Sequence, residues 1–203
     1  MGSRRGEIEG GVFAIDRRER NMMDPKLKRK NLRLKGFDYS LDGFYFVTIC
    51  TRDRTCLFGN VVGGSMRLNN FGEIIKSQWS QLERKYPDVK LNHFIIMPNH
   101  VHGIIVMTNA GAGSPRPDGR GLGAGTAPLQ RLTLGHVIAY FKYQSTKQIN
   151  VVRGIPGMSV WQRNYYERII RDENDLGRVR QYITNNPILW DSDPDNVNNI
   201  KKT

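Results

Sequence analysis

Two histidines placed one residue apart are the first feature of this sequence that could do chemistry. His100 and His102 flank Val101 in an apolar run that follows the turn dipeptide Pro98-Asn99. Side chains alternate between the two faces of a β-strand, so both imidazoles should point the same way. Such a pair suits a divalent cation, but two histidines can equally line a half-polar sheet face. The motif alone leaves both interpretations open.

A tyrosine and an asparagine near the C-terminus offer complementary chemistry. Tyr182 and Asn186 are four residues apart, which places them on one face of a predicted helix. With His100 and His102, the Asn186 amide oxygen forms a ligand set that leaves positions open for phosphate and water. The predicted cation is Mg²⁺ or Mn²⁺, which would polarise a phosphodiester. Tyr182 would then attack it and form a covalent intermediate from which the strand can be rejoined without ATP.

Other side chains compete for these roles. The alternatives are the nucleophiles Tyr143, Tyr165 and Tyr166 and the metal ligands His93 and His136. Tyr182 is preferred because it alone has a candidate metal ligand one helical turn further on. The two remaining histidines are interpreted as ordinary side chains without a catalytic role.

The composition favours a polyanionic partner. The 203 residues include 31 Lys and Arg against 19 Asp and Glu, which gives a formal net charge of +12. Such a charge favours nucleic acid first and an anionic membrane second. No apolar run approaches the roughly 18–20 residues that span a bilayer, and no secretory leader is recognisable. Because two cysteines cannot form a disulfide scaffold, the predicted compartment is the reducing cytoplasm.

Hydrophobic periodicity predicts the elements that must position the site. Predicted strands cover residues 44–50, 89–96 and the run that carries the histidines, and predicted helices begin near Asn70, Thr133 and Asp172. The last two of these strands are joined by a short turn and should be antiparallel. Strands and helices connected by turns rather than long crossovers predict an α+β fold with helices on one face of an antiparallel sheet.

The chain is predicted to contain one folded domain between two less regular ends. The predicted parts are a flexible basic arm at 1–30, a single domain at 31–190 and a C-terminal tail at 191–203. Within the domain, a Gly-, Ala- and Pro-rich stretch at about 108–128 is predicted to be a mobile loop. Arg116 and Arg120 in this loop are candidate DNA contacts.

A block of aromatic residues and arginines runs from residue 161 to residue 171. This mixture is typical of surfaces that stack bases and neutralise phosphates. The alternative is that Trp161, Tyr166 and Ile169 pack into the core. The sequence leaves both roles open for these three side chains.

Several of these motifs resemble those of a known family. Residues 97–102, Met-Pro-Asn-His-Val-His, resemble the His-hydrophobic-His signature of the single-tyrosine HUH transposases. The C-terminal motifs resemble the REP-associated tyrosine transposases within that superfamily. The matching segments are 33–39, 45–48, 161–167 and 182–187. The resemblance extends over about residues 31–190.

The resemblance implies a ferredoxin-like α+β domain whose helices pack mainly on one face of the sheet. It implies that Tyr182 attacks single-stranded DNA at hairpin-forming repeats, leaving a 5′-phosphotyrosine and a free 3′-OH. His100 and His102 would hold the divalent metal, and Asn186 stands where insertion-sequence relatives carry glutamine. The implied partner is single-stranded or hairpin DNA in the bacterial cytoplasm, associated with the nucleoid. Insertion-sequence relatives form dimers whereas bacterial REP-associated members can be monomeric, so the resemblance leaves open whether this chain forms a homodimer.

The predicted DNA contacts are basic or aromatic side chains. They are Arg33, Lys35, Arg116, Arg120, Lys142, Arg163, Tyr165 and Arg168. Two other functions remain open at this point. One is a catalytically silent DNA- or RNA-binding module that keeps the fold, and the other is a metal-dependent hydrolase that uses activated water and leaves no protein attached to the DNA.

Overall fold

A four-stranded antiparallel sheet forms the centre of the computed structural model, which describes residues 42–108 and 132–199. Its strands are β1 (Gly43–Cys50), β4 (Val89–Ile96), β5 (His100–Met107) and β6 (Tyr166–Ile170), in the spatial order β4-β5-β1-β6. A separate hairpin pairs β2 (Gly59–Val62) with β3 (Ser65–Leu68). The helices are α1 (Asn70–Lys85), α2 (Leu134–Arg153) and α3 (Glu173–Asn185). This order and connectivity confirm the predicted ferredoxin-like α+β fold.

The two faces of the sheet carry different helices. On one face, Tyr45, Val47 and Ile49 of β1 join a core cluster with apolar residues of α1 and α2. On the other face, α3 packs against β4 and reaches over β5 to β1, where the ring of Tyr182 lies 6.0 Å from that of Phe46. The two longer helices therefore share one face, as predicted, while the third helix covers the opposite face and the histidines.

Polar side chains mark where each helix begins. The Asn69 side chain accepts hydrogen bonds from the first turn of α1, and the Asp172 side chain does the same for α3. Thr133 and His136 cap α2 reciprocally, since each side chain bonds the other residue's backbone N–H. Such caps satisfy amides that have no partner inside the helix. His136 therefore has a local structural role, which agrees with its interpretation as an ordinary histidine.

A glycine in the strand that carries the histidines allows this strand to pack close to α1. Gly103 lies beneath the indole of Trp79, which is itself 2% exposed. The Trp79 ring is stacked on Phe94 with 4.6 Å between centroids and contacts Phe141 edge-on at 5.2 Å. A Cβ atom at position 103 would overlap this ring. The indole has no room to move aside, so only glycine fits here.

We expect Gly103→Ala to lower the free energy of unfolding by about 1–3 kcal/mol, because the added methyl group overpacks a rigid aromatic cluster. Urea denaturation would measure the effect. Gly177→Ala is the matched control, since a Cβ at position 177 in α3 meets nothing within 4 Å. Alanine favours a helix interior by about 1 kcal/mol over glycine, so the control should be stabilised. Equal effects of the two substitutions would contradict the packing argument.

Several sequence-based predictions fall on residues that the structure does not describe. They are the basic arm at 1–30, residues 109–128 of the predicted loop, and the candidate DNA contacts Arg33, Lys35, Arg116 and Arg120. These stay predictions. Within the two described segments, none of the helices has the length and apolarity needed to cross a membrane.

Candidate active site

The two histidines of β5 point to the same face of the sheet, as strand geometry predicts. Their ring centroids are 4.4 Å apart. His100 is fully buried and His102 is 2% exposed. They belong to a central strand that pairs on both sides, so the backbone positions of both residues are held by the sheet.

The C-terminal end of α3 meets this face. The Tyr182 hydroxyl lies 3.4 Å from Nε2 of His102, and the two rings are 5.2 Å apart. Asn186 follows the last turn of α3, is 1% exposed, and places its amide next to His100 and Tyr182. Four side chains proposed from two distant segments therefore share one site. Their chemical roles stay predictions.

Hydrogen bonds determine which nitrogen of His100 carries the proton. The Asn99 amide nitrogen donates to the backbone carbonyls of Arg54 and Asp195, at 3.0 and 2.7 Å. The Asn99 amide oxygen must then accept from Nδ1 of His100, at 2.8 Å. The proton on Nδ1 leaves Nε2 with a free lone pair, which is the form that binds a metal ion. Asn99 thus orients His100 through its tautomer.

His102 is oriented by β1 on its other side. Its Nδ1 is 2.9 Å from the Thr48 hydroxyl, opposite it in the strand register. Its ring stacks on Phe46 with 5.5 Å between centroids. Phe46 also contacts Tyr182 edge-on, so one buried ring packs against both residues. The adjacent strand therefore supports the imidazole and the phenol together.

A carboxylate that sequence analysis missed completes the group. Asp193 is 6% exposed, and its carboxylate together with His100 and His102 forms a cluster whose ligand atoms all lie within 4.8 Å of one another. Asp193 falls in the predicted C-terminal tail at 191–203, where no periodic pattern marks a helix or strand. The available signal was an acidic residue seven positions beyond Asn186, close enough to return to the same site.

The donor set fits a divalent cation. Nε2 of His100 and Oδ1 of Asn186 are buried and have no hydrogen-bond partner among the described residues. Buried polar atoms normally have partners, so two unpartnered acceptor atoms beside a carboxylate need an explanation. A bound cation would satisfy the imidazole nitrogen, the amide oxygen and the carboxylate at once.

Burial controls protonation in this site. It lowers the pKa of His100 well below 6.5 and that of His102 to about 3, with the positive charge of Arg54 acting in the same direction. Burial also raises the pKa of Asp193 to about 6 and raises the pKa of Tyr182 above its usual value, with Asp193 adding to the latter effect. At neutral pH the imidazoles are therefore neutral and the phenol keeps its proton.

The buried neutral histidines predict a pH-dependent stability for the metal-free protein. The unfolded chain protonates His102 near pH 6.5, whereas the folded chain holds its pKa at about 3. The contribution of this histidine is complete above pH 6.5 and is lost as the pH falls. We expect wild type to lose about 2 kcal/mol relative to His102→Gln between pH 7.5 and 5.

Urea unfolding in EDTA would measure the difference in unfolding free energy between wild type and His102→Gln. Both proteins contain Asp193, whose raised pKa changes stability with pH in the opposite direction, so its contribution cancels in this difference. The matched control is His93→Gln, because His93 is exposed on β4 and bonds only its neighbour Asn92 in the described structure. A constant stability difference between wild type and His102→Gln would contradict the prediction.

The described DNA-contact candidates lie in different surroundings. Arg163 is exposed and lines a groove with Arg52. Lys142 donates to the carbonyls of Gln162 and Asn164, at 2.8 and 3.0 Å, so its charge holds that segment in place. The remaining two contact protein groups: Tyr165 packs against the core cluster and Arg168 pairs with the buried Asp175 at 3.0 Å. Only Arg163 among these four is exposed.

The alternative nucleophiles are also separated by their positions. Tyr143 is 63% exposed on α2, across the sheet from the histidines. Tyr165 packs against the core cluster on that same side. Tyr166 is opposite Thr48 on β6 and contacts Phe46 at 6.3 Å, so it shares the histidine face. Tyr166 is therefore the alternative that needs an experimental control.

Comparisons with known proteins show what this chain is similar to. No family model matches the chain. An uncharacterized protein of Haemophilus influenzae is 40% identical over 167 residues, covering 81% of this chain and 91% of that protein. A second protein of the same organism, named "Putative REP-associated tyrosine transposase", is 27% identical over 159 residues, covering 74% of this chain and 73% of that protein. The chain is thus similar to a protein named as a REP-associated tyrosine transposase, in agreement with the resemblance of its motifs.

Two solved structures are also similar to this chain. One is a REP-associated tyrosine transposase bound to a REP hairpin, with 18% identity, a TM-score of 0.48, and coverage of 77% of this chain and 73% of that one. The other is described as a putative transposase from Deinococcus radiodurans R1, with 16% identity, a TM-score of 0.39, and coverage of 75% and 97%.

Proposed function

We propose that this protein is a REP-associated tyrosine transposase, which cleaves and rejoins single-stranded DNA at hairpin-forming repeats through a 5′-phosphotyrosine intermediate. The observation that carries the proposal is the Tyr182 hydroxyl, 3.4 Å from His102 Nε2 and beside a buried cluster of metal-ligand type. Tyr182 is half-buried, unlike the fully buried His100 beside it. The name of the Haemophilus relative supports the repeat as the substrate.

Tyr182 would act as the nucleophile. Its oxygen forms a bond to the phosphorus atom, the bond from phosphorus to the 3′ oxygen breaks, and the electron pair leaves on that oxygen as a free 3′-OH. The reverse attack by a 3′-OH rejoins a strand and regenerates the tyrosine. Because its pKa is raised by burial, the phenol must lose its proton during the attack. Because His102 would hold the cation through Nε2, this proton passes to solvent, and it balances the proton that the 3′ oxygen takes up.

The cation-holding residues would be His100, His102 and Asn186, which present acceptor atoms to the same buried space. When bound, a divalent cation supplies Lewis-acid polarisation and orientation of the phosphodiester. Asn99 and Thr48 hold the two imidazoles in place for this role. The positively charged chain, with Arg163 and Arg52 exposed beside one groove, would bind the phosphate backbone.

Covalent trapping tests the proposal. The protein is incubated with a hairpin oligonucleotide that carries different labels at its 5′ and 3′ ends, in Mg²⁺ or Mn²⁺, and is separated under denaturing conditions. The expected result is a protein band that carries the 3′ label and a free strand that carries the 5′ label and ends in a 3′-OH. A protein band with the 5′ label would reverse the proposed polarity.

Two other outcomes identify the alternative functions. Cleavage that leaves both fragments free of protein would indicate a hydrolase that uses activated water. Tight binding of the hairpin without cleavage in either metal would indicate a catalytically silent binding protein. Either result would overturn the phosphotyrosine mechanism.

A further inference from the structure

We propose that the β2–β3 hairpin of the protein, here called the ribbon (residues 59–68), reads base edges in the major groove of the stem of the DNA hairpin, with Arg67 and Asn60 as its specificity-determining residues. The proposal deepens the proposed function and rests on it, because the stem belongs to the repeat that the protein would cleave. It assigns a role to an element that contributes no side chain to the candidate active site.

The ribbon has one packed face and one exposed face. Residues directly opposite each other on antiparallel strands point to the same side. On the inner side, Met66 and Leu68 pack against the core cluster and hold the ribbon in place. The outer side consists of two cross-strand pairs whose four residues are all exposed: Asn60 with Arg67, and Val62 with Ser65. The outer face is therefore open to a partner.

The side chains of the outer face are of the types that distinguish base pairs. In the major groove, arginine donates two hydrogen bonds to guanine, asparagine pairs with adenine, and small apolar groups contact the thymine methyl group. Among the described residues, neither Arg67 nor Asn60 has a hydrogen bond or an ion pair through its side chain. Arg168, by contrast, already pairs with Asp175. Arg67 and Asn60 thus keep their donors for a ligand.

The charge and the size of the ribbon also fit a duplex. The sequence contains no Asp or Glu from residue 54 to residue 72, so no carboxylate of the ribbon repels phosphate groups. Each strand has four residues, and a two-stranded ribbon fits a major groove that is roughly 12 Å wide. Gly63 and Gly64 both have positive φ, as the tight type I′ turn requires, so the tip carries no bulky side chain.

The tip of the ribbon lies next to the end of α3. A Cβ atom at Gly64 would be 3.4 Å from Cγ1 of Ile188. Ile188 follows Asn186 by two residues, and its backbone N–H donates to the carbonyl of Asn185 in the last turn of α3. The ribbon and the proposed nucleophile Tyr182 are therefore neighbours, so one DNA hairpin can contact both.

The test measures which stem sequences the full chain selects. A library of hairpin oligonucleotides with randomised stem base pairs is bound to wild type, Arg67→Ala and Asn60→Ala in EDTA, and the bound molecules are sequenced. We expect wild type to prefer particular base pairs at two stem positions by about tenfold each. Arg67→Ala should lose the preference at one position, for a G·C pair, and Asn60→Ala at the other, for an A·T pair.

Two further variants separate base reading from charge. Arg67→Lys keeps the charge but loses the planar fork of donors, so it should lose the G·C preference while its total affinity stays within a fewfold of wild type. Arg84→Ala removes a charge from an exposed position of α1, across the sheet from the histidines, and should keep both preferences. A wild type without stem preference, or an Arg67→Ala or Arg67→Lys variant that retains the preference, would overturn the inference.

A second measurement identifies the groove. Methylation of guanine N7 places a methyl group in the major groove, where it blocks one of the two acceptors that arginine uses. At the stem position that depends on Arg67, it should weaken binding of wild type about tenfold and leave binding of Arg67→Ala unchanged. Equal interference in the two proteins would contradict a contact between Arg67 and that guanine.

The outcomes separate this inference from the proposed function. If the covalent adduct forms and Arg67→Ala selects the same stems as wild type, the phosphotyrosine function stands and the role of the ribbon is wrong. If no DNA is cleaved but Arg67→Ala loses the stem preference, the ribbon reads DNA and the proposed chemistry is wrong.

Discussion

Tyr182→Phe will abolish the covalent protein–DNA adduct and reduce strand cleavage by at least about a thousandfold. The substitution removes only the oxygen that forms the bond to phosphorus, and loss of a nucleophile commonly costs this much or more. The phenylalanine ring keeps the edge-on contact with Phe46 and the packing against His102. The fold and Mn²⁺ binding should therefore match those of wild type.

The measurement is adduct formation on the doubly labelled hairpin, followed over time on a denaturing gel. Tyr166→Phe is the control, because Tyr166 lies on the same face of the sheet and contacts the same Phe46 ring. It should form the adduct at a rate within a fewfold of wild type. If Tyr182→Phe still forms the adduct while Tyr166→Phe does not, the nucleophile is Tyr166 and the role proposed for α3 is wrong.

Chelation with EDTA will stop strand cleavage, and His100→Ala will reduce it by at least about a hundredfold in saturating Mn²⁺. His100 offers the buried Nε2 without a partner, so its removal deletes one ligand from the cluster. Removing a ligand weakens the binding of the cation, and the bound cation would polarise the phosphodiester. Added Mn²⁺ should restore strand cleavage by the EDTA-treated wild type but not by His100→Ala.

His93→Ala is the control for this second prediction. His93 lies on β4, next to the strand that carries His100, and is exposed. Its removal should leave both cleavage and Mn²⁺ binding unchanged. Cleavage that persists in EDTA, or a His100→Ala variant as active as wild type, would remove the cation from the mechanism while leaving Tyr182 available as the nucleophile.

Local periodicity accounts for the predictions that could be made from the chain alone. The aromatic and β-branched run from residue 44 to residue 50 identified β1, which is buried on both faces because helices cover them both. The same reasoning placed His100 and His102 on one side of β5. The ranges of α1 and α3 followed from apolar spacing, since each needs one stripe of buried residues.

Charged side chains were less predictable. Lys142 and Arg168 were expected at DNA, but Lys142 donates to two carbonyls and Arg168 pairs with Asp175. A basic residue has the same appearance in the sequence whether its partner is a phosphate or a protein group. The difference depends on which acceptors the fold brings near, and these lie 7 to 22 residues away along the chain.

The sequence by itself determined which functional side chains share a face of one element, because the periods of strands and helices are local properties of the backbone. It thereby identified His100 with His102, and Tyr182 with Asn186. Only the tertiary structure decided that these two faces meet, since α3 packs on the sheet face opposite the longer helices. The tertiary structure alone also placed Asp193 with them, because its segment has no periodicity and is held by hydrogen bonds to distant loops.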